Sequence, residues 1–259
     1  MSGTKRLTWL RIFLLLGGLL CSRVAIAAPG AASGSVPVFS INLGESGGGT
    51  QEISTALKVT LLLTLLSIAP ALLITVTSFT RTVIVLSFMR QALGIPQVPP
   101  NQVLVGLSLF LTFFIMSPVI DDIYATAYQP YVAEQISAEV AMDNAVKPLR
   151  RFMLKFTREK DLALFLSIAK QPRPHTVEEI PMRSIVPAFL ISELKTSFQI
   201  GFMIYIPFLV IDVIVSSILL AMGMMVLPPM LISVPIKLML FVLVDGWNLL
   251  IESLVRSFH

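Results

Sequence analysis

An all-α, membrane-associated protein is predicted by three observations on this 259-residue sequence. Only 13% of its residues are charged, against about 25% in average soluble domains. Its mean hydropathy is +0.85, with 55% hydrophobic residues. Uncharged apolar runs of roughly 18 residues or more recur along it, which is the length a helix needs to cross a bilayer. The expected architecture is a set of long hydrophobic helices and helical hairpins with a small helical extracytoplasmic lobe. An ordinary soluble enzyme is excluded by the same observations.

The formal charge of +4 does not describe the body of the chain. Lys5, Arg6, Arg11 and Arg23 hold the whole excess, and fifteen bases and fifteen acids remain beyond them. A nucleic-acid partner is therefore not expected. Residues 1–27 read as a cleavable signal peptide: bases, then an apolar stretch over 12–20, then Ala25-Ile26-Ala27, with cleavage after Ala27. The apolar stretch is too short to span a hydrocarbon layer of ~30 Å at 1.5 Å per residue. Cys21, the single cysteine, leaves no intrachain disulfide or zinc cluster. Residues 28–52, rich in Gly, Ser and Ala, read as a flexible leader.

Residues 53–120 are expected to hold two hydrophobic helices joined by a short basic loop. The first apolar run, 59–80, contains Pro70, which should kink it. The second follows Pro96, Pro99 and Pro100, so its helix should start near Asn101 and end around Pro118. Arg81 and Arg90 lie between the runs with no acid, as the positive-inside rule expects of a cytoplasmic loop.

Residues 121–184 change character. Between 121 and 183 lie nine acids and nine bases, the composition of a solvated helical lobe on the external, periplasmic side. Val132, Ile136 and Val140 recur at helical spacing, as do Leu162, Phe165, Leu166 and Ala169, with breaks expected at Pro148, Pro172 and Pro174.

Residues 185–259 turn apolar again, interrupted by Glu193, Lys195, Asp212, Lys237 and Asp245, and are expected to form proline-broken hydrophobic hairpins. Pro187, Pro207 and Pro235 should break the helices, and residues 213–227 offer only about 22 Å of helix. Pro228-Pro229 forces a turn there, so the expected shape is a hairpin with its tip at 223–229. Charges in such a setting are costly unless paired or facing a wet cavity. Glu193, Asp212 and Lys237 are thus either structural ion pairs or proton-relay groups. Glu193 and Lys195, two apart on a helix, should not pair with each other.

The chemistry of catalysis finds no motif: HExxH, Walker lysine loop, GxSxG elbow and cysteine nucleophile are all missing from the sequence. Neither enzymatic activity nor a cofactor is expected. Asp121-Asp122 reads as an interfacial loop and His175 as a solvated loop residue. Met222, Met224 and Met225 cluster at the hairpin tip. Methionine is unbranched and adaptable, so such side chains suit either a yielding gasket around a polypeptide or ordinary core filling.

Six motifs carry a resemblance. They are Thr77-Ser78-Phe79-Thr80-Arg81, then Arg90-Gln91-Ala92-Leu93-Gly94 running into residues 97–102, then residues 113–118, 193–201, 222–229 and 237–247. Together they resemble the FliP family of flagellar biosynthetic proteins from about Ile53 onward. The resemblance implies a pore-forming subunit of the flagellar type III protein-export gate, conducting unfolded flagellar proteins. It implies several copies joined to the FliQ and FliR proteins, in the bacterial inner membrane at the flagellar basal body, with hairpins largely lifted out of the bilayer. It implies that the methionine-rich loop, falling on Met224 and Met225, is a gasket around the closed channel. The chain departs from the pattern at Val226, where a third methionine is common. Charges matching Glu193 and Lys237 are implied to bridge neighbouring subunits, with Asp212 a further matching acid. Two alternatives are kept: the equivalent subunit of a virulence-type secretion system, and an ion- or proton-coupled transporter subunit. The signal, the long leader and Leu227-Pro228-Pro229 favour the flagellar branch.

Overall fold

The computed structural model describes residues 51–169, 176, 179–224 and 227–258. The signal peptide with its cleavage point at Ala27, Cys21, the leader up to residue 50, Pro172, Pro174, His175, Met225 and Val226 lie outside the described residues. All regular elements among the described residues are helical. They are α1 (Gln51–Thr75), α2 (Phe79–Ala92), α3 (Asn101–Ile123), a π-helical turn (Tyr124–Tyr128), α4 (Gln129–Val132), α5 (Ala138–Phe156), α6 (Glu159–Ile168), α7 (Met182–Ala221), α8 (Met230–Leu243) and α9 (Gly246–Arg256).

The apolar run over 59–80 is not one helix. α1 stops at Thr75, and Thr80 and Arg81 already belong to α2. The basic loop expected between the first two hydrophobic helices is this second helix. Between its two arginines lie Val83, Ile84, Val85, Leu86, Phe88 and Met89, and α2 buries Val85, Leu86 and Met89 completely. Burying each such side chain contributes roughly 1.5–3 kcal/mol. That outweighs the preference of its terminal arginines for water once Arg81 has found a buried carboxylate, described below.

The helix α2 packs chiefly on α7 and α3. Ile185 and Phe189 of α7, Leu111 and Ile115 of α3, and Leu250 and Leu254 of α9 join it in one core. The charged segment after Ile120 shares that core instead of building its own. Leu149, Phe152, Met153 and Phe156 recur at three- and four-residue spacing on α5, and this stripe packs against the same cluster. Leu162 and Leu166 of α6 follow it. What remains solvated is the outer face of α5 and α6. Val132, Ile136 and Val140 do not share a helix, since α4 ends at Val132 and a turn over 133–137 precedes α5.

Prolines interrupt less than the sequence suggests. Pro70, Pro118, Pro148, Pro187, Pro207 and Pro235 all sit inside helices. A proline removes one hydrogen bond and crowds the preceding turn, but the intact flanking turns carry each helix through. The 40-residue α7 is therefore about 60 Å long at 1.5 Å per residue. The Asn101–Val132 stretch and α7 are each long and apolar enough to cross a membrane, and α8 with α9, bent by 66°, make a third candidate if counted as one span.

Close approach of α2 and α7 depends on Gly201. A Cβ there would meet the Phe88 ring at 2.6 Å, and Phe88 is held edge-on against Phe198 with centroids 5.3 Å apart. Gly201→Ala is expected to destabilise the protein by about 1–3 kcal/mol through overpacking, read as a fall in melting temperature of the purified protein in detergent.

Candidate functional site

The hairpin expected at the C-terminal end is present, and its register is visible in two contacts. Phe208 faces Phe241 with centroids 6.5 Å apart, and Asp212 faces Lys237. Four residues forward on α7 match four residues back on α8, so the helices run antiparallel.

The tip is built by local chemistry. α7 ends where Gly223 takes φ +74°, a left-handed conformation that side-chain-bearing residues rarely adopt. The Gly223 N–H donates to the Leu220 carbonyl at 3.0 Å and the Met224 N–H to the Leu219 carbonyl at 3.0 Å. This pair of reversed bonds is the Schellman termination of a helix. Pro228 and Pro229 then open α8, where missing N–H groups cost nothing because the first helical turn has no acceptors for them. The turn leaves Met222 67% and Met224 38% exposed. Met230, at the first position of α8, is exposed as well. In the sequence, the place of Met230 directly after the diproline is the one signal that it belongs to the tip.

Beneath the tip, Lys237 is only 4% exposed. Its Nζ donates to Asp212 Oδ2 at 2.6 Å and to the Ala92 carbonyl at 3.2 Å. The hairpin is thereby tied to the end of α2.

Glu193 is fully buried and bound to Arg81, which lies in α2 and not in the cytoplasmic loop expected from the sequence. Arg81 Nε donates to Glu193 Oε2 at 2.8 Å, and Nη2 donates to Oε1. Arg81 Nη1 donates to the Ser257 carbonyl at 2.9 Å and to its hydroxyl at 3.0 Å. The guanidinium carbon lies 3.8 Å from the Phe258 ring centroid and 5.4 Å from that of Phe156. Arg81 is thus only 2% exposed yet richly satisfied, with a bidentate carboxylate below it and aromatic faces beside it. Next to it, Ser192 Oγ donates to Asp161 Oδ2 at 2.7 Å and accepts from the Arg158 N–H at 3.0 Å. These bonds anchor the start of α6 to α7.

Glu193 and Lys195 do not pair, and Glu193 and Lys237 are not partners within the chain. Asp121 and Asp122 lie at the end of α3, still inside the helix, with Asp122 Oδ2 accepting from Arg151 Nη2 at 3.1 Å on the surface. No group of three or more His, Cys, Asp or Glu side chains suited to a metal ion occurs among the described residues.

The profile of the FliP family matches residues 62–254. This chain belongs to the FliP family. Among its relatives, the Flagellar biosynthetic protein FliP of Pectobacterium carotovorum subsp. carotovorum is 56% identical over 211 residues, covering 82% of each chain. That of Bacillus subtilis (strain 168) is 54% identical, covering 82% of this chain and 96% of the relative. That of Aquifex aeolicus (strain VF5) is 49% identical, covering 91% and 98%. These relatives favour the flagellar reading over the virulence-type and ion-coupled ones. The FliP match contains the hairpin tip, Arg81, Glu193, Asp212 and Lys237, while Ser257 and Phe258 fall just beyond it.

Proposed function

We propose that this FliP-family chain is a pore-forming subunit of the flagellar type III protein-export gate, passing unfolded flagellar proteins during flagellum assembly. In this reading several copies join FliQ and FliR at the basal body in the bacterial inner membrane. The chain is directed there by a signal peptide cleaved after Ala27. The outer face of α5 and α6, within 121–184, is the periplasmic side. No catalytic step is assigned to the chain, and other components supply the energy.

The observation that carries the reading is the exposed methionine tip. Met222 and Met224 are exposed just where Gly223 ends α7, and Met230 is exposed where the diproline opens α8, so the methionines gather at one end of the hairpin. Thioether side chains with three rotatable bonds can close against one another and yield around any passing sequence. Met224, Met225 and Met222 are the proposed gasket.

The test is electrical. Met224→Ala with Met225→Ala should leave membrane accumulation and assembly intact while raising the resting ion conductance of cells several-fold. Unchanged conductance together with unchanged motility overturns the gasket.

A further inference from the structure

Five charged residues interrupt the apolar stretch 184–250: Glu193, Lys195, Asp212, Lys237 and Asp245. The fold settles three of them internally, Glu193 with Arg81 and Asp212 with Lys237. The two left over are of opposite sign. Lys195 and Asp245 are both exposed, and neither side chain has a hydrogen-bond or ion-pair partner among the described residues.

Their surroundings are what make this unusual. Lys195 stands at the edge of an open groove whose walls are Phe88, Phe198, Phe202 and Tyr205 with Gln91. Asp245 caps α9 at φ +52° without a side-chain capping bond. It sits among the exposed side chains of Val242, Leu243, Val244 and Trp247. A lone charge on such an apolar face is costly when that face is covered, unless the cover brings the opposite charge.

We propose that a second copy of this chain supplies it: Lys195 of one copy pairs with Asp245 of the next, with Trp247 and Val244 seated in the phenylalanine-lined groove. Charge complementarity selects the occupant, because within residues 184–250 the described residues leave over one cation and one anion, both on apolar ground. Contact between two different patches is heterologous, so it propagates from head to tail rather than closing a two-fold dimer. The inference rests on the multi-copy reading of the proposed function and adds to it a specific contact and a direction.

The test uses the full chain in membranes of cells that make the other flagellar export proteins, with two differently tagged copies. Lys195→Glu alone and Asp245→Lys alone should each lower co-purification of the two tags by about tenfold, equivalent to ~1.4 kcal/mol. The double variant should return to within about twofold of the parent. As a second measurement that leaves folding intact, Lys195→Cys on one tagged copy and Asp245→Cys on the other should be bridged by a short bis-maleimide. Copies carrying only one of these two substitutions should not be bridged to each other. Full co-purification in both single variants, or no rescue and no bridging with both variants accumulating normally, overturns the pairing. Bridging of Lys195→Cys to a different protein overturns it too. In the first of these cases the copies still associate, so the pore-subunit reading survives the failure.

Discussion

Glu193→Ala should remove the folded protein from membranes almost entirely. The substitution leaves the Arg81 guanidinium, 2% exposed, facing a void where two charge-assisted hydrogen bonds had been. Breaking a buried pair from one side costs about 3–5 kcal/mol, a large share of the 5–15 kcal/mol that typically holds a domain together. Arg81→Ala should be comparably damaging, since it also releases the hydrogen bonds to Ser257 and the ring contact with Phe258. The informative variant is the double replacement Arg81→Met with Glu193→Met. Removing both charges and filling the volume is often neutral, so the double variant should accumulate far better than either single one. Membrane accumulation and melting temperature in detergent read the comparison. A double variant as poor as the singles would mean that the carboxylate and guanidinium act through something other than each other.

Lys237→Glu is the second large effect expected. It places a carboxylate where the Nζ now lies 2.6 Å from Asp212, so two like charges share a poorly solvated site. Loss of assembled protein is expected. Asp212→Lys in the same chain should restore much of it by recreating the pair in reverse, although the bond to the Ala92 carbonyl would be lost. The family resemblance pointed instead to Glu193 as the residue that meets Lys237 across subunits. Glu193→Lys placed in the same chain tests that bridge. Rescue by Asp212→Lys identifies the hairpin pair as the one that matters for folding; Glu193→Lys also sets a second cation against the buried Arg81, so only its success bears on the bridge. Rescue by Glu193→Lys instead assigns Lys237 to the subunit boundary.

The hairpin tip was legible in the sequence because its signals are local. A glycine and a diproline determine backbone angles on their own, and the Schellman bonds at Gly223 and Met224 follow from the left-handed glycine. Arg81 was misread for the opposite reason. Its partner lies 112 residues away, and nothing in the neighbourhood of an arginine announces a buried carboxylate on a distant helix. The absence of nearby acids looked like a cytoplasmic loop, when it meant that the neutralising charge came from elsewhere. Prolines misled in a related way. Pro187 and Pro207 carry the same local cost anywhere, but in α7 that cost is set against the hydrogen-bond ladder of a 40-residue helix, which a rule about single residues does not weigh. The charged segment likewise looked independent because composition records its solvated face, while Phe152 and Met153 on the other face decide where it packs.

The paired register of α7 and α8 has a mechanical consequence. Phe208 against Phe241 and Asp212 against Lys237 are one helical turn apart on each strand of the hairpin. Sliding one helix past the other by a turn would break the ring contact and strand a charge in the same movement. The two helices therefore behave as a stiff beam, resistant to shear along its length. Toward the tip, no further ring contact or ion pair joins the two helices among the described residues, and the exposed Met222 and Met224 side chains are unbranched and easily bent. A load pressing along the axis is passed down the beam to the Ala92 end of α2, while a load from the side is absorbed at the methionines.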